Sequence, residues 1–149
     1  ELDDFYNLVR GVINSADYYT KKAKNNEIAK FTKKAMTKNL KDKTNISLVA
    51  RDEGKMVGFL NGYFEHGDVF YLYWIGVSKN ARSKGIAKNI LKGLESKLRE
   101  MNAHRVYCHI RVSNKESINL FKANGYKNIV RLNNFWYGQD FYIYSKSIR

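Results

Sequence analysis

Apolar residues recur along the chain in two periods, and the changes of period mark its elements. Phe5, Leu8, Val9, Val12, Ile13 and Ala16 lie at helical spacing and predict a first helix from about Leu2 to Asn14, with Asp3 and Asp4 suited to its N-terminal end. Ser15 to Asn26 is polar and reads as a loop. Ile28, Phe31, Ala35 and Leu40 mark a second helix ending near residue 40. A meander of three strands follows: Ile46 to Arg51, Met56 to Glu65 and Val69 to Val77. Its turns are Asp52-Glu53-Gly54-Lys55 and His66-Gly67-Asp68, glycine sitting at the tight position of the first. The third strand is apolar on both faces, as a central strand is. Gly76 near its end predicts a bulge or a close backbone approach.

The second half alternates helix and strand. Ile86, Ile90, Leu94 and Leu98 fall every fourth position, with Leu91 and Met101 beside them, and form one apolar helical stripe. Lys84, Lys88, Lys92, Glu95 and Arg99 fall on the other side. In Arg105 to Ser113, Val106, Cys108, Ile110 and Val112 face one way, and Tyr107, His109, Arg111 and Ser113 the other. The apolar set packs under the sheet, with Cys108 as a small core residue. Ser113 or Asn114 caps a helix over Lys115 to Asn124, which Asn124-Gly125 stops with a left-handed turn. Tyr126 to Leu132 and Gln139 to Ile148 are two closing strands. Asn133 to Gly138 joins them as an aromatic hairpin loop.

Between the third strand and the long helix lies Arg82-Ser83-Lys84-Gly85-Ile86-Ala87. A glycine in the first turn of a helix is a poor helix former but lets a ligand approach the backbone. Unsatisfied N–H groups and the positive dipole end favour an anion there, and Arg82, Lys84 and Lys88 add full charges. Residues 82–88 are thus a candidate phosphate or pyrophosphate site, or else a plain strand–turn–helix with a solvated basic turn.

With 149 residues the chain is expected to fold as one domain with a proper core. Its formal net charge of +13 favours anionic partners. Nine lysines between Lys21 and Lys43 face only Glu27 and Asp42, a pattern of a solvated helical face. That segment has no arginine forks, which weakens a nucleic-acid reading. No apolar run is long enough to span a bilayer, and no leader is evident. A single cysteine suits a reducing cytoplasm. The first residue is Glu1, so a natural start is expected upstream.

Arg82-x-x-Gly85-x-Ala87, after Ile75-Gly76-Val77 and before a long helix, resembles the acetyl-CoA signature Gln/Arg-x-x-Gly-x-Gly/Ala of the GNAT superfamily of N-acetyltransferases. Asn114-Lys115-Glu116-Ser117-Ile118-Asn119-Leu120-Phe121-Lys122-Ala123-Asn124-Gly125-Tyr126 is similar to the family's later block, Asn-x-x-Ala/Ser-x-x-Leu-Tyr-x-x-x-Gly-Phe/Tyr. The order and spacing fit over about two thirds of the chain, from Ile46 onward. The resemblance implies an α/β (α+β) GNAT fold: a central, mixed, mostly antiparallel, twisted sheet of six to seven strands, splayed at the cofactor cleft and flanked by about four helices. The family's usual first strand has no counterpart before Leu2.

The resemblance also implies a site. Acetyl-CoA would be held by backbone groups of Ile75, Gly76 and Val77, by Arg82, Ser83, Lys84, Gly85, Ile86, Ala87 and Lys88, and by Asn114, Ser117 and Phe121. For Asn114 and Ser117 the plain reading is capping and helix packing, and for Asn114 it stands level with the cofactor role. The candidate base is His109, five residues before the motif asparagine where the ribosomal-protein enzymes carry a glutamate, or Glu65 at the end of its strand; His109 also reads as a plain surface or hydrogen-bonded histidine. His66, in a turn, and His104, before a strand, have no motif behind them. Phe121 stands where the family often has a tyrosine acid, and Phe135-Trp136 where N-terminal acetyltransferases carry two tyrosines; Tyr137 is a substitute donor. No metal is expected.

The closest pattern is that of ribosomal-protein and other protein N-terminal acetyltransferases, through the Ser-Asn block and Gly138-x-Asp140. An α-amine titrates near ~7.8 and a lysine near ~10.4, so a modest base serves the first far better. The expected acceptor is an N-terminal α-amine with acidic residues nearby, lying between the Ser15–Asn26 and Phe135–Tyr137 loops. A lysine or small-molecule amine is the alternative, and polyamines are disfavoured by the +13 charge. A silent acyl-CoA-binding domain, argued by Phe121, and a basic nucleic-acid module stay open; a monomer or homodimer is expected.

Overall fold

The computed structural model describes all residues, 1–149. Helix α1 (Leu2–Asn14) forms where the apolar spacing places it and buries Phe5, Leu8, Val9, Val12 and Ile13. The following segment departs from the expectation. The polar stretch after Ser15 is a loop only as far as Thr20; α2 (Lys21–Lys30) starts inside it, and α3 (Lys33–Lys41) follows after a break. Two threonines set these starts. Thr20 Oγ1 accepts from the Ala23 N–H and Thr32 Oγ1 from the Ala35 N–H, each satisfying a helix donor that would otherwise be orphaned. Between them Phe31 leaves helical geometry and enters the core. The single helix expected up to residue 40 is therefore two short ones, and the chain has five α-helices rather than about four.

Six strands form one sheet: β1 (Asn45–Asp52), β2 (Lys55–Phe64), β3 (Val69–Val77), β4 (Arg105–Arg111), β5 (Lys127–Leu132) and β6 (Phe141–Ser147), in the order β1-β2-β3-β4-β6-β5. All neighbours are antiparallel except β3 and β4. Glu53 and Gly54 both take positive φ in the β1–β2 turn, the geometry that suits the twist of a tight hairpin. Helices α4 (Ile86–Glu100) and α5 (Lys115–Ala123) cover one face over Leu60, Phe70, Leu72, Val106, Cys108 and Ile110. Helices α1 and α3 cover part of the other, over Phe59 and Trp74. None of these helices is long and apolar enough to cross a membrane.

Several local expectations are corrected. Glu95 is buried, not on the solvated side of α4, because Lys146 pairs with it at 2.9 Å. Met101 lies past the helix end and is exposed. Strand β4 stops at Arg111, and Asn114 rather than Ser113 caps α5. Helix α5 does end as expected, with Gly125 at positive φ and the Tyr126 N–H bonded to the Phe121 carbonyl.

The bulge of β3 is at Tyr73, not at Gly76. Asn61 pairs with Trp74 but Gly62 with Leu72, which leaves Tyr73 as an extra residue. Gly76 is instead a close approach, since a side chain there would strike Val12 of α1. The bulge reverses the alternation of the strand. Before it, Phe70 and Leu72 enter the α4–α5 core; after it, Ile75 packs there and Trp74 turns to the α1 side. Beside it the β3–β4 ladder is short. It has three pairs, Val69–Arg105, Phe70–Val106 and Tyr71–Tyr107, beyond which the strands part.

Gly62 faces this constriction: a Cβ there would overlap the Tyr71 carbonyl oxygen and the Phe70 ring. Gly62→Ala is expected to cost about 1–3 kcal/mol. Gly11→Ala, in α1 with nothing within 4 Å, is expected to gain up to about 1 kcal/mol. Urea unfolding midpoints of the two variants check both signs.

Candidate active site

The parted ends of β3 and β4 open two connected spaces. The larger is a groove of about 790 Å³, lined by Ile75, Gly76 and Val77, by the 82–88 turn and by the start of α5; that is within the usual range for a small-molecule site. Ser78 donates to the Val57 carbonyl across β2. Alternation along an antiparallel pair then turns the N–H and C=O groups of Ile75 and Val77 to the open side. Arg82 Nε bonds the Val77 carbonyl there at 3.2 Å.

Gly85 does more than sit in a first turn. It is the N-cap of α4 with φ +75°, and no atom lies within 4 Å of where a Cβ would stand. The glycine is required by its left-handed backbone, and the space it leaves lies beside the first amides of α4. Ser83, Ile86, Ala87 and Lys88 line the same groove. Two expected cofactor residues behave otherwise. Lys84 does not line the groove; its ammonium lies 3.6 Å from Asp52. Arg82 lines it, but its guanidinium is folded back, with Nη2 donating to Ser15 Oγ at 2.9 Å. Asn114 caps α5, accepting from the Ser117 N–H and donating to Ser117 Oγ, while both residues line both spaces.

The smaller space, about 70 Å³, lies between β3 and β4 on the α1–α2 side. Tyr18 and Ile75 border it and the groove alike. His109 and Tyr137 line it; Phe121 forms part of its wall, buried against Tyr126, and so meets the small space rather than the groove. Glu65 lies outside, exposed and accepting from the Tyr107 hydroxyl at 2.6 Å. His109 stacks on Phe135 with ring centroids 5.9 Å apart and lies 4.5 Å from the Trp136 ring. Its Nδ1 is enclosed with no partner. Burial lowers its pKa below the ordinary value, against a smaller upward pull from Glu65, so the ring is neutral at pH 7.

Two charged residues here were not singled out from the sequence. Glu27 is 5 % exposed and accepts four bonds: Tyr73 hydroxyl at 2.6 Å, Lys30 Nζ at 3.0 Å, Trp74 Nε1 and Tyr137 hydroxyl at 3.2 Å each. Burial pushes its pKa up, but the bonds from Tyr73, Lys30 and Trp74 more than offset this, so the carboxylate stays ionised. Arg111, 3 % exposed, stacks 3.4 Å over the Tyr19 ring, and its Nε donates to Gln139 Oε1 at 2.7 Å. A signal existed for each. Glu27 stands four residues after Ala23 and four before Phe31, on the buried side of α2; Arg111 falls two residues from His109 on the same strand face.

Comparison with known proteins agrees with this geometry. A profile described as the Acetyltransferase (GNAT) family matches residues 13–126. An N-alpha-acetyltransferase of Sulfurisphaera tokodaii is 29% identical over 118 residues, 70% of this chain and 71% of its own. An L-2,4-diaminobutyric acid acetyltransferase of Halalkalibacterium halodurans is 35% identical over 77 residues; the match spans 50% of this chain and only 41% of that protein. A PaiA N-acetyltransferase of Thermoplasma acidophilum, solved in complex with coenzyme A, superposes with a TM-score of 0.82 at 15% identity, covering 98% of this chain and 92% of its own.

Gly85→Val is expected to abolish acetyl-CoA binding while the protein stays folded, because the side chain would both strain the αL backbone and fill the space beside the α4 amides. Calorimetry with acetyl-CoA checks this, and unchanged affinity would remove residues 82–88 as the site.

Proposed function

The chain belongs to the GNAT family of acetyltransferases, whose acyl donor is acetyl-CoA, and on that premise we propose that it acetylates the α-amine of a protein or peptide N-terminus by direct attack in a ternary complex. The cofactor supplies an activated acyl thioester. The α4 amides and Lys88 would hold its phosphates, and the open-side backbone groups of Ile75 and Val77 its arm and thioester carbonyl; the φ of Gly85 and the free strand edge fit that group.

The observation that carries the acceptor reading is His109, a neutral imidazole enclosed in the small space that adjoins the groove at Tyr18 and Ile75. A neutral imidazole accepts the proton of an amine that titrates near ~7.8, and is poorly matched to a lysine near ~10.4. Phe121 has no proton for the departing thiolate, and the Tyr137 hydroxyl is engaged with Glu27. Tyr18 borders both spaces and carries its hydroxyl proton at neutral pH, which places a donor where the thiolate would depart. The likeness to the N-alpha-acetyltransferase supports this reading, since it runs over more than two thirds of both chains. A free diamino acid is the second reading, favoured by the 35% identical relative.

His109→Gln is expected to lower kcat by about two to four orders of magnitude. In the parent protein kcat/KM should fall on acidification, as His109 takes up a proton, with a midpoint below the ordinary histidine value because burial lowers its pKa. That limb should vanish in the variant. An unchanged pH–rate profile would remove His109 as the base. Competition between peptides with free and blocked N-termini, each with one lysine, tests the acceptor: product masses should show acetyl on the free N-terminus alone.

A further inference from the structure

Arg111 is the most enclosed cation beside the acceptor space. It is 3 % exposed, it lines the 70 Å³ cavity, and no carboxylate lies within ion-pair distance of it. Tyr19 and Phe141 flank the guanidinium, and Gln139 takes Nε. Its Nη2 is fully enclosed and has no partner at all. A buried charge left in that state is costly, and burial accordingly lowers its pKa. Glu27, the buried acid of the same space, does not serve it, being occupied by Tyr73, Lys30, Trp74 and Tyr137.

An anion is the natural guest for such a fork. The phosphates of a nucleotide cofactor have the groove and the α4 amides for partners. For the 70 Å³ cavity a planar carboxylate on a short stem is the smaller match to the guanidinium. His109, two residues before Arg111 on the same strand face, lines the same cavity.

We propose that Arg111 is a carboxylate-binding subsite, so that the acceptor bears a carboxylate a few bonds from the amine that is acetylated. The inference rests on the acetyl-transfer reading above but not on which kind of molecule carries the amine. The carboxylate can belong to an acidic first residue of a peptide or to a free amino acid with a second amine. Both sources present the same pair of groups to His109 and Arg111.

The test is a set of matched acceptors: peptides beginning with Asp or Asn, and a free diamino acid beside its carboxamide, with product identified by mass. In the parent protein kcat/KM for the carboxylate member of at least one pair should exceed its carboxamide by about ten- to a hundredfold, the span for a hydrogen bond to a charged group. In Arg111→Gln that ratio should collapse toward one, chiefly by loss on the carboxylate acceptor. The parent ratios need no variant, so they stand even where Arg111→Gln fails to fold. Preference for the Asp peptide assigns the subsite to protein N-termini. Preference for the diamino acid keeps the subsite and overturns the N-terminal reading. Equal use of carboxylate and carboxamide, turnover of neither, or a uniform loss in Arg111→Gln over all acceptors, as a contact to the acyl group would give, overturns the proposal.

Discussion

One extra residue in the central strand, Tyr73, sets the geometry on which the site depends. In a regular strand Tyr73 and Trp74 would point to opposite faces. With the bulge both reach the same oxygen of Glu27, at 2.6 Å and 3.2 Å. The reversed alternation also turns Ile75 and Val77 so that their peptide groups face the gap instead of β2. The short parallel contact of β3 with β4 lies just before the bulge, and the gap opens beyond it. One insertion thus exposes the strand edge on the groove side and gathers the buried acid on the other.

The second organising element is the segment between α1 and α2. Ser15 accepts from the same Arg82 that bonds the Val77 carbonyl. Three residues on, Tyr18 stands where groove and cavity meet, and Tyr19 carries the guanidinium of Arg111 on its ring. The wall of the small cavity is therefore tied, through Arg82, to the loop that lines the larger groove. His109 and Arg111 lie two residues apart on β4, whereas Tyr18 and Glu27 come from the α1–α2 loop and from α2.

The sequence was most legible where a short pattern has one physical cause. The period-two strands, the apolar stripe of α4 and the glycine at residue 85 are of this kind, and the sheet and groove follow from them. It was less legible where a tertiary partner decides. Glu95 reads as a surface acid on a lysine-rich helix until Lys146, from β6, arrives at 2.9 Å. Glu27 reads as a counter-ion among lysines until the β3 bulge brings Tyr73 and Trp74 to it. The start of α2 was hidden for a different reason: its residues are too polar for an apolar period to show, and only the Thr20 cap marks it. Arg111 was visible as a polar residue on a strand face, but its enclosure by Tyr19 and Phe141 depends on two distant elements.

The parted strands have a consequence for solubility. Wherever a ladder stops, a strand offers unpaired peptide groups, and such edges recruit foreign strands into aggregates. Here the edge of β3 beyond Tyr71 lies inside the sheet, opposite β4, with α1 on one face and α4 on the other. Its donors are reachable by a slender guest but screened from another sheet. The outer strand β5 has no such shelter: Ile129 and Val130 are exposed, and only Lys127 and Arg131 beside them provide repulsive charge. Association of copies at high concentration is therefore a matter for the outer strands, β5 and also β1 with its exposed Val49, while the cleft is guarded by its own narrowness.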